Sequence, residues 1–471
     1  MFRSLVTAGV MVALSACAVG PDFKRPDEPS VTRYTAAADQ TQRLVYGQTP
    51  PNDWWTLFQN EELNRLMQQA KEGNFTLAAA RSSLAQAEGL LAARSGTRLP
   101  QVNLGGGAGR QQLGAQALGD FQLPTFTYYA IGADVRYTLD YTGGIARSIE
   151  QQRALAEYYQ HELDAAWLSL TGNVAVQYFT IVFTQAQIQA LEELLAEDRT
   201  NVDLVARAQQ AGIVTKVDEL SARSQLAQDA TLLPPLRQQL DTARHALAVL
   251  LGKAPGEWAD AQSQFTAASD LRLPEQLPVS LPSELVRRRP DILSAESQLH
   301  AATAAVGVAT ANLYPQITLS GNVSQQSTRT GHLFDASSLA WGVISGITAP
   351  LFDGGTLRAE RRAALQAVQV NAANYQQTVL HSFEQVANLL QAARHDEELL
   401  LAQTEAMETA RSSVDLARKS YSAGNVGVLT VLDAERQSLQ ARLGLLDAQS
   451  KLFVNTAELL LAVGGSGLSG S

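Results

Sequence analysis

Few residues in this chain stand where catalysis would need them. The six histidines are His161, His245, His300, His332, His381 and His395. No two share the short helical spacing that aims a pair at one metal ion. His161-Glu162 lacks the second histidine of a zinc protease motif. No Gly-x-Ser-x-Gly elbow and no phosphate-cradling glycine loop is present. The chain is therefore expected to be no enzyme, with no catalytic residues, no metal ligands and no cofactor. A formal net charge of −10 argues against nucleic acid as a partner. With a single cysteine, no internal disulfide can form.

The chemistry on offer lies in that cysteine. Met1-Phe2-Arg3 is a short basic start, and Leu5 to Leu14 is apolar. About ten apolar residues fall short of the roughly twenty a spanning helix needs, so residues 1–16 read as a secretory signal. Leu14-Ser15-Ala16-Cys17 resembles a bacterial lipobox, which makes Cys17 the candidate acylation site and the first residue after cleavage. More than one acyl chain would give stable anchoring. Ala18, rather than Asp, follows the cysteine, which by the same resemblance favours the outer membrane. An ordinary signal peptide with an incidental cysteine is the plainer alternative.

The elements behind this start form a duplication. Val202-Asp203-Leu204 recurs as Val414-Asp415-Leu416, and Ala211-Gly212 as Ala423-Gly424. Leu99-Pro100-Gln101-Val102 returns as Tyr314-Pro315-Gln316-Ile317, and Gly143-Gly144 with Arg147 returns as Gly354-Gly355 with Arg358. A lipidated segment and connector (17–59) precedes the first repeat (60–252). A connector (253–281) separates it from the second (282–463), and a flexible tail (464–471) closes the chain. Each copy runs helix, strand pair, very long helix, helix. The strands are expected near 101–113, 126–140, 315–326 and 338–350. The long helices are expected over 144–210 and 356–422, and the returning helices over 216–251 and 428–463.

No mature segment reads as a membrane helix, which leaves a β-barrel as the spanning option. In the second strand Thr127, Tyr129, Ile131, Ala133, Val135, Tyr137 and Leu139 share a face. In the third, Ile317, Leu319, Gly321 and Val323 do, and in the fourth Leu339, Trp341, Val343 and Ile347 do. The first strand, with Val102, Leu104, Gly106 and Ala108, is weaker. Ten-residue alternation of this kind suits an outer-membrane barrel, with Tyr129, Tyr137 and Trp341 as interfacial aromatics. A soluble half-buried sheet has the same period. Four strands cannot close a barrel, since single-chain barrels start at eight, so spanning would require several copies.

Each long helix would extend on the order of 100 Å at 1.5 Å per residue. Spacings of four and three run through Leu163, Trp167, Leu170, Val174, Gln177, Ile181, Thr184, Ile188, Leu191, Leu195, Asp198, Val202 and Val205. The same frame runs from Tyr375, Val379 and Ser382 to Val414 and Ala417. That is the seam of a coiled coil, although a helical prop would show it too. Arg287-Arg288-Arg289 reads as a structural or surface feature, with Pro290-Asp291 opening a helix.

Several of these stretches resemble one family. Cys17-Ala18-Val19-Gly20-Pro21-Asp22-Phe23-Lys24-Arg25-Pro26 is similar to the mature start of outer-membrane efflux lipoproteins. Arg288-Arg289-Pro290-Asp291-Ile292, Ala311-Asn312-Leu313-Tyr314-Pro315-Gln316-Ile317 and Phe352-Asp353-Gly354-Gly355 match family signatures. So does Tyr421-Ser422-Ala423-Gly424 with Leu429-Thr430-Val431-Leu432-Asp433-Ala434-Glu435-Arg436. The group is the TolC-like outer membrane factors of tripartite efflux systems, in their OprM/NodT branch. The resemblance implies a mixed, mainly α fold: a homotrimeric α-barrel of long coiled-coil helices, each chain adding four strands to a transmembrane β-barrel. It implies a periplasmic adaptor, an inner-membrane pump and outer-membrane lipid as partners, and passive export of small molecules or drugs as function. Carried over residue by residue, it assigns a pore aperture to Leu429, Asp433 and Arg436, with Val217 and Ser221 at the equivalent places of the first copy. Asp433 solvating an exposed helix start is the plain reading of that residue. A type I protein-secretion duct and a non-conducting trimeric scaffold are the rival functions.

Overall fold

The computed structural model describes residues 18–27, 29–35, 43–112, 124–258 and 265–464. Cys17, the signal segment and the tail from 465 lie outside the described residues. The helices are α1 (Glu61–Gly73), α2 (Phe75–Gly96), α3 (Gly144–Gln210), α4 (Lys216–Ala230), α5 (Leu233–Leu250), α6 (Pro282–Arg288), α7 (Pro290–Ala311), α8 (Thr356–Ser422) and α9 (Val428–Ala462). The strands are β1 (Leu44–Tyr46), β2 (Gln101–Gln111), β3 (Phe126–Leu139), β4 (Leu277–Val279), β5 (Gln316–Ser327) and β6 (Leu339–Thr348).

Both long helices are 67 residues, about 100 Å of continuous backbone. Their ends are built twice in the same way. At the start, Asp140 carboxylate oxygens accept from the Ile145 and Ala146 N–H groups at 2.9 and 2.8 Å. Asp353 does the same for Gly355 and Leu357 at 2.9 and 2.8 Å. Each carboxylate satisfies donors that the first turn leaves without partners. At the other end, Gly212 and Gly424 take φ of +74° and +76°. That left-handed turn lets Ile213 N–H reach Ala208 O and Asn425 N–H reach Ser420 O, both at 2.9 Å. The seam positions go inside: Trp167, Val174, Ile181, Leu191, Leu195 and Asp198 on α3, and Val379, Ser382, Val386, Leu389 and Ala393 on α8, are buried.

β2, β3, β5 and β6 form one antiparallel sheet in that order. Its register puts the apolar residues in rows: Leu104, Ala133, Val323 and Trp341 stand side by side, as do Val102, Val135, Gly321 and Val343. This face is open to its surroundings, with Leu104, Trp341 and Ile347 each at least 70% exposed. The opposite row carries Asn103, Asp134 and Asn322, and Asn103 Nδ2 donates to Asp134 Oδ2 at 3.1 Å. β2 and β6 are the outer strands of the sheet.

The chain divides into two compact units. One holds the segment up to Pro26 with Ser83–Tyr159 and Ser294–Tyr375; the other holds Asp27–Ser82, Gln160–Leu293 and Gln376–Ser471. The first contains the four-stranded sheet. The second has an aromatic core in which Phe58 meets Phe179 at 4.9 Å, Phe179 meets Phe453 at 5.2 Å, and Trp54 packs edge-on to Trp55 at 6.0 Å.

Four expectations need correction. The returning helix over 216–251 is two helices, because Pro234 and Pro235 cannot continue α4 and instead sit in the first turn of α5. The opening helix of the first repeat is also two, α1 and α2, divided at Asn74, whose side chain caps α2 at Leu77 N–H, 2.9 Å. The connectors 17–59 and 253–281, expected to carry no strand, hold one each: β1 and β4 pair in parallel through Leu44–Leu277 and Tyr46–Val279. Finally, α3 does contain a window apolar and long enough to cross a membrane by composition, but 61% of that window is buried inside the protein. It is a core helix.

Candidate functional site

The second long helix turns at Gly424 and returns as α9, and the three residues singled out for an aperture lie on the first turns of that return. Leu429, Asp433 and Arg436 follow one another at i, i+4 and i+7, so they share a stripe. Leu429 and Asp433 are exposed and Arg436 half-buried. Arg436 Nη2 lies 2.7 Å from Asp433 Oδ1, and Gln437 Nε2 donates to Asp433 Oδ2 at 2.9 Å. The carboxylate is thus held by its own helix. The adjoining stripe of α9, with Val431, Leu432, Ala434, Glu435 and Leu439, is buried.

α9 begins without a side-chain cap, at Gly427. α4, its counterpart, begins with a capping box: Thr215 N–H donates to Asp218 Oδ2 at 2.8 Å and Asp218 N–H to Thr215 Oγ1 at 3.3 Å. The counterparts of the aperture residues, Val217 and Ser221, sit on α4, and Val217 is 69% exposed.

What fastens the start of α9 is an ion network that sequence reasoning missed. Glu435, only 5% exposed, accepts from Arg418 of α8 at 2.8 Å and from Asn201 of α3 at 2.9 Å. Arg418 also reaches Glu197 at 3.1 Å. Its guanidinium is held above the usual arginine range, first by the hydrogen bond to Glu435. Two turns further along α9, Arg442 meets Glu193 of α3 at 2.7 Å, which pulls the Glu193 carboxyl below its usual range. An open groove of about 310 Å³ runs beside this network, lined among others by Glu197, Asn201, Arg418, Val428 and Glu435. A signal for the network did exist in the chain. Glu435 sits among the apolar residues Val431, Leu432, Ala434 and Leu439, and an acid on such a face needs a partner.

The arginine run is likewise absorbed by structure. Arg289 grips Asp291 through two bonds at 3.0 and 2.8 Å and also donates to Ala462 O at 3.0 Å. Arg288 donates to Thr49 Oγ1 at 3.2 Å. Among the described residues, no group of three or more His, Cys, Asp or Glu is placed to hold a metal ion.

A paired-repeat chain with long seam-bearing helices, and a four-stranded sheet whose outward face is apolar, defines the class of outer-membrane channel subunits. The family model for outer membrane efflux proteins matches residues 66–253 and 281–465. The chain belongs to that family. It is 30% identical over 467 residues to the pyoverdine export outer membrane protein OpmQ of Pseudomonas putida, covering 98% of this chain and 96% of OpmQ. It is 29% identical over 463 residues to the cation efflux system protein CusC of Escherichia coli K12, covering 97% and 98%. The solved outer-membrane channel OprN superposes with a TM-score of 0.87 at 29% identity, over 96% of this chain and 99% of that one. The open state of the Neisseria gonorrhoeae channel MtrE gives 0.84 at 25%, over 96% and 99%. The fold is TolC-like and mainly α, and the protein is an outer-membrane efflux channel component.

Proposed function

We propose that three copies of this chain form a passive exit duct for small molecules, fed by an inner-membrane pump through a periplasmic adaptor. The observation that carries assembly from several copies is the sheet; that the copies number three is what the likeness to TolC-like channels implies. The sheet's apolar rows are in register across four strands, too few to close, and open edges are not tolerated in lipid. Three sheets of four give a twelve-stranded barrel. Energy comes from the pump, since the chain offers no catalytic or nucleotide-binding motif. Two relatives of nearly equal similarity are named for a cation and for pyoverdine, which supports a duct that does not itself choose its cargo.

In this reading Leu429, Asp433 and Arg436 line the aperture, and threefold symmetry brings three Asp433 carboxylates together. Each carboxylate in that ring is balanced by its own Arg436, and the leucines narrow the passage. Cys17 carries the acyl anchor. In planar bilayers the purified trimer gives conductance steps, and Asp433→Ala raises the basal current. An unchanged current and opening frequency would remove the aperture assignment, and no steps at all would leave the scaffold reading. Cys17→Ser abolishes labelling by radioactive fatty acid; persistent labelling would refute the anchor.

A further inference from the structure

α4 is held to its neighbours in an unusual way. Its buried residues are Glu219, Ala222 and Asp229, two acids and an alanine. Asp229, 6% exposed, comes against Asp198 of α3, 4% exposed, where the two helices pack. Two neighbouring carboxyl groups buried in an apolar seam do not both ionise, so one keeps a proton. The Asp198 Oδ2 atom is buried without any hydrogen-bond partner, whereas Asp229 Oδ2 accepts from Gln225 at 2.6 Å. The pair lies between two apolar clusters on α3: Leu191, Leu194 and Leu195 with Leu226 on one side, and Val205 with Ala222 and Leu432 on the other.

We propose that Asp198 and Asp229 form a proton-held latch that fastens α4 to α3 and releases it as pH rises. The groups facing the pair are accounted for on each packed element. Glu197 of α3 and Glu435 of α9 add negative charge, and Arg418 of α8 is already committed to those two acids. On α4, Lys216 and Arg223 pair with Glu219. On α5, Arg237 pairs with Glu192. No cation within this set is left to balance a second ionised aspartate. Burial first, and then the adjacent Asp229, push the Asp198 carboxyl up to about 7. A raised acid binds its proton more tightly when folded. Its contribution is therefore present below the ordinary aspartate value of 3.8 and is lost as pH rises from there through about 7. Above that range both carboxylates are charged in an apolar setting and the helices part. Because Ala222 of α4 packs against Leu432 of α9, next to Asp433, the release reaches the first turns of α9. That last step rests on the aperture reading given above; the latch itself does not.

The test uses the full-length trimer carrying Ala222→Cys, a buried reporter on α4. Its rate of modification by a maleimide is compared with that of the same protein bearing Asp198→Asn, which replaces the retained proton with an amide N–H. Taking the ratio at each pH removes the thiol's own titration. The parent's rate relative to the variant's should climb by up to about tenfold per pH unit between pH 5 and about 7 and level off above it. Asp229→Asn should behave like Asp198→Asn, which keeps the test alive if one variant fails to assemble. A ratio that stays constant from pH 5 to 7 would overturn the latch. A pH-dependent ratio together with unaltered conductance of Asp433→Ala would keep the latch and discard the aperture.

Discussion

In the first repeat the chain comes back from Gly212 as two helices, α4 and α5, interrupted between Ala230 and Leu233; in the second it comes back from Gly424 as one 35-residue helix, α9. The two returns are secured at opposite places. α4 has a capped first turn and a nearly apolar-free buried face. α9 has a bare first turn at Gly427 and a buried face running from Val431 to Ala462 that includes Leu452, Phe453, Leu459 and Leu460. A duplicated scaffold is therefore fastened at two different points. In α9 it is the tip, held by Arg418 and Asn201 through Glu435. In α4 it is the body, held by a pair of carboxyl groups.

The largest test of this contrast is a proline. Leu446→Pro places one in α9 at the position matching Pro234 and should cost at least about 3 kcal/mol, abolishing the heat-resistant assembly on a gel. Pro234→Ala with Pro235→Ala should change stability by no more than about 1 kcal/mol. Equal effects would mean the two returns are packed alike. Next, Ile131→Arg in the first repeat and Val343→Arg in the second should each cost about 2–4 kcal/mol if their strands face lipid near the midplane, measured as loss of membrane-assembled protein. Here the copies should agree, and a difference between them would mean that only one hairpin meets lipid.

Smaller effects lie at the caps. Thr215→Ala should destabilise by about 1 kcal/mol, while Gly427→Ser should stabilise by a few tenths, read as denaturant midpoints. A loss at Gly427 would mean its first turn is strained rather than unsupported. The smallest is a pH effect. The Leu357 and Gly355 N–H groups hold the Asp353 carboxyl below its usual range. That cap is fully present above the ordinary aspartate value of 3.8 and weakens as pH falls through the lower folded value. Asp353→Asn should flatten the acid limb of the unfolding curve, and an unchanged limb would exclude the cap as its source.

Much of the architecture was legible because its signals are local. Glycines at 212 and 424 and the four-three seam fixed where the long helices run, and alternation placed the strand faces. Pro234-Pro235 marks the interruption between α4 and α5, but apolar spacing continues on both sides of it and reads as one helix. Trp54, Trp55 and Phe58 were absorbed into a connector, yet they fill the core of one unit, because Phe179 and Phe453 meet them from distant parts of the chain. Asp198 was counted in the seam as one polar exception. Folding the chain back about Gly212 brings it opposite Asp229, so the pairing was accessible from hairpin geometry. The Arg436–Asp433 contact needs only i,i+3 spacing, but which of several possible partners Arg418 takes needs coordinates.

Ala18 closes tightly on the turn after β3. Its Cα and Cβ lie where a side chain on Gly143 would have to go, and the next residue, Val19, donates its N–H to Thr142 O at 2.9 Å. Arg147 then grips Asp22 and donates to Val19 O at 3.3 Å, and Phe23 stacks on His300 with ring centres 4.4 Å apart. Residues 18–23 are therefore riveted beside the turn that ends β3, which ties the start of the described chain to the sheet at one height.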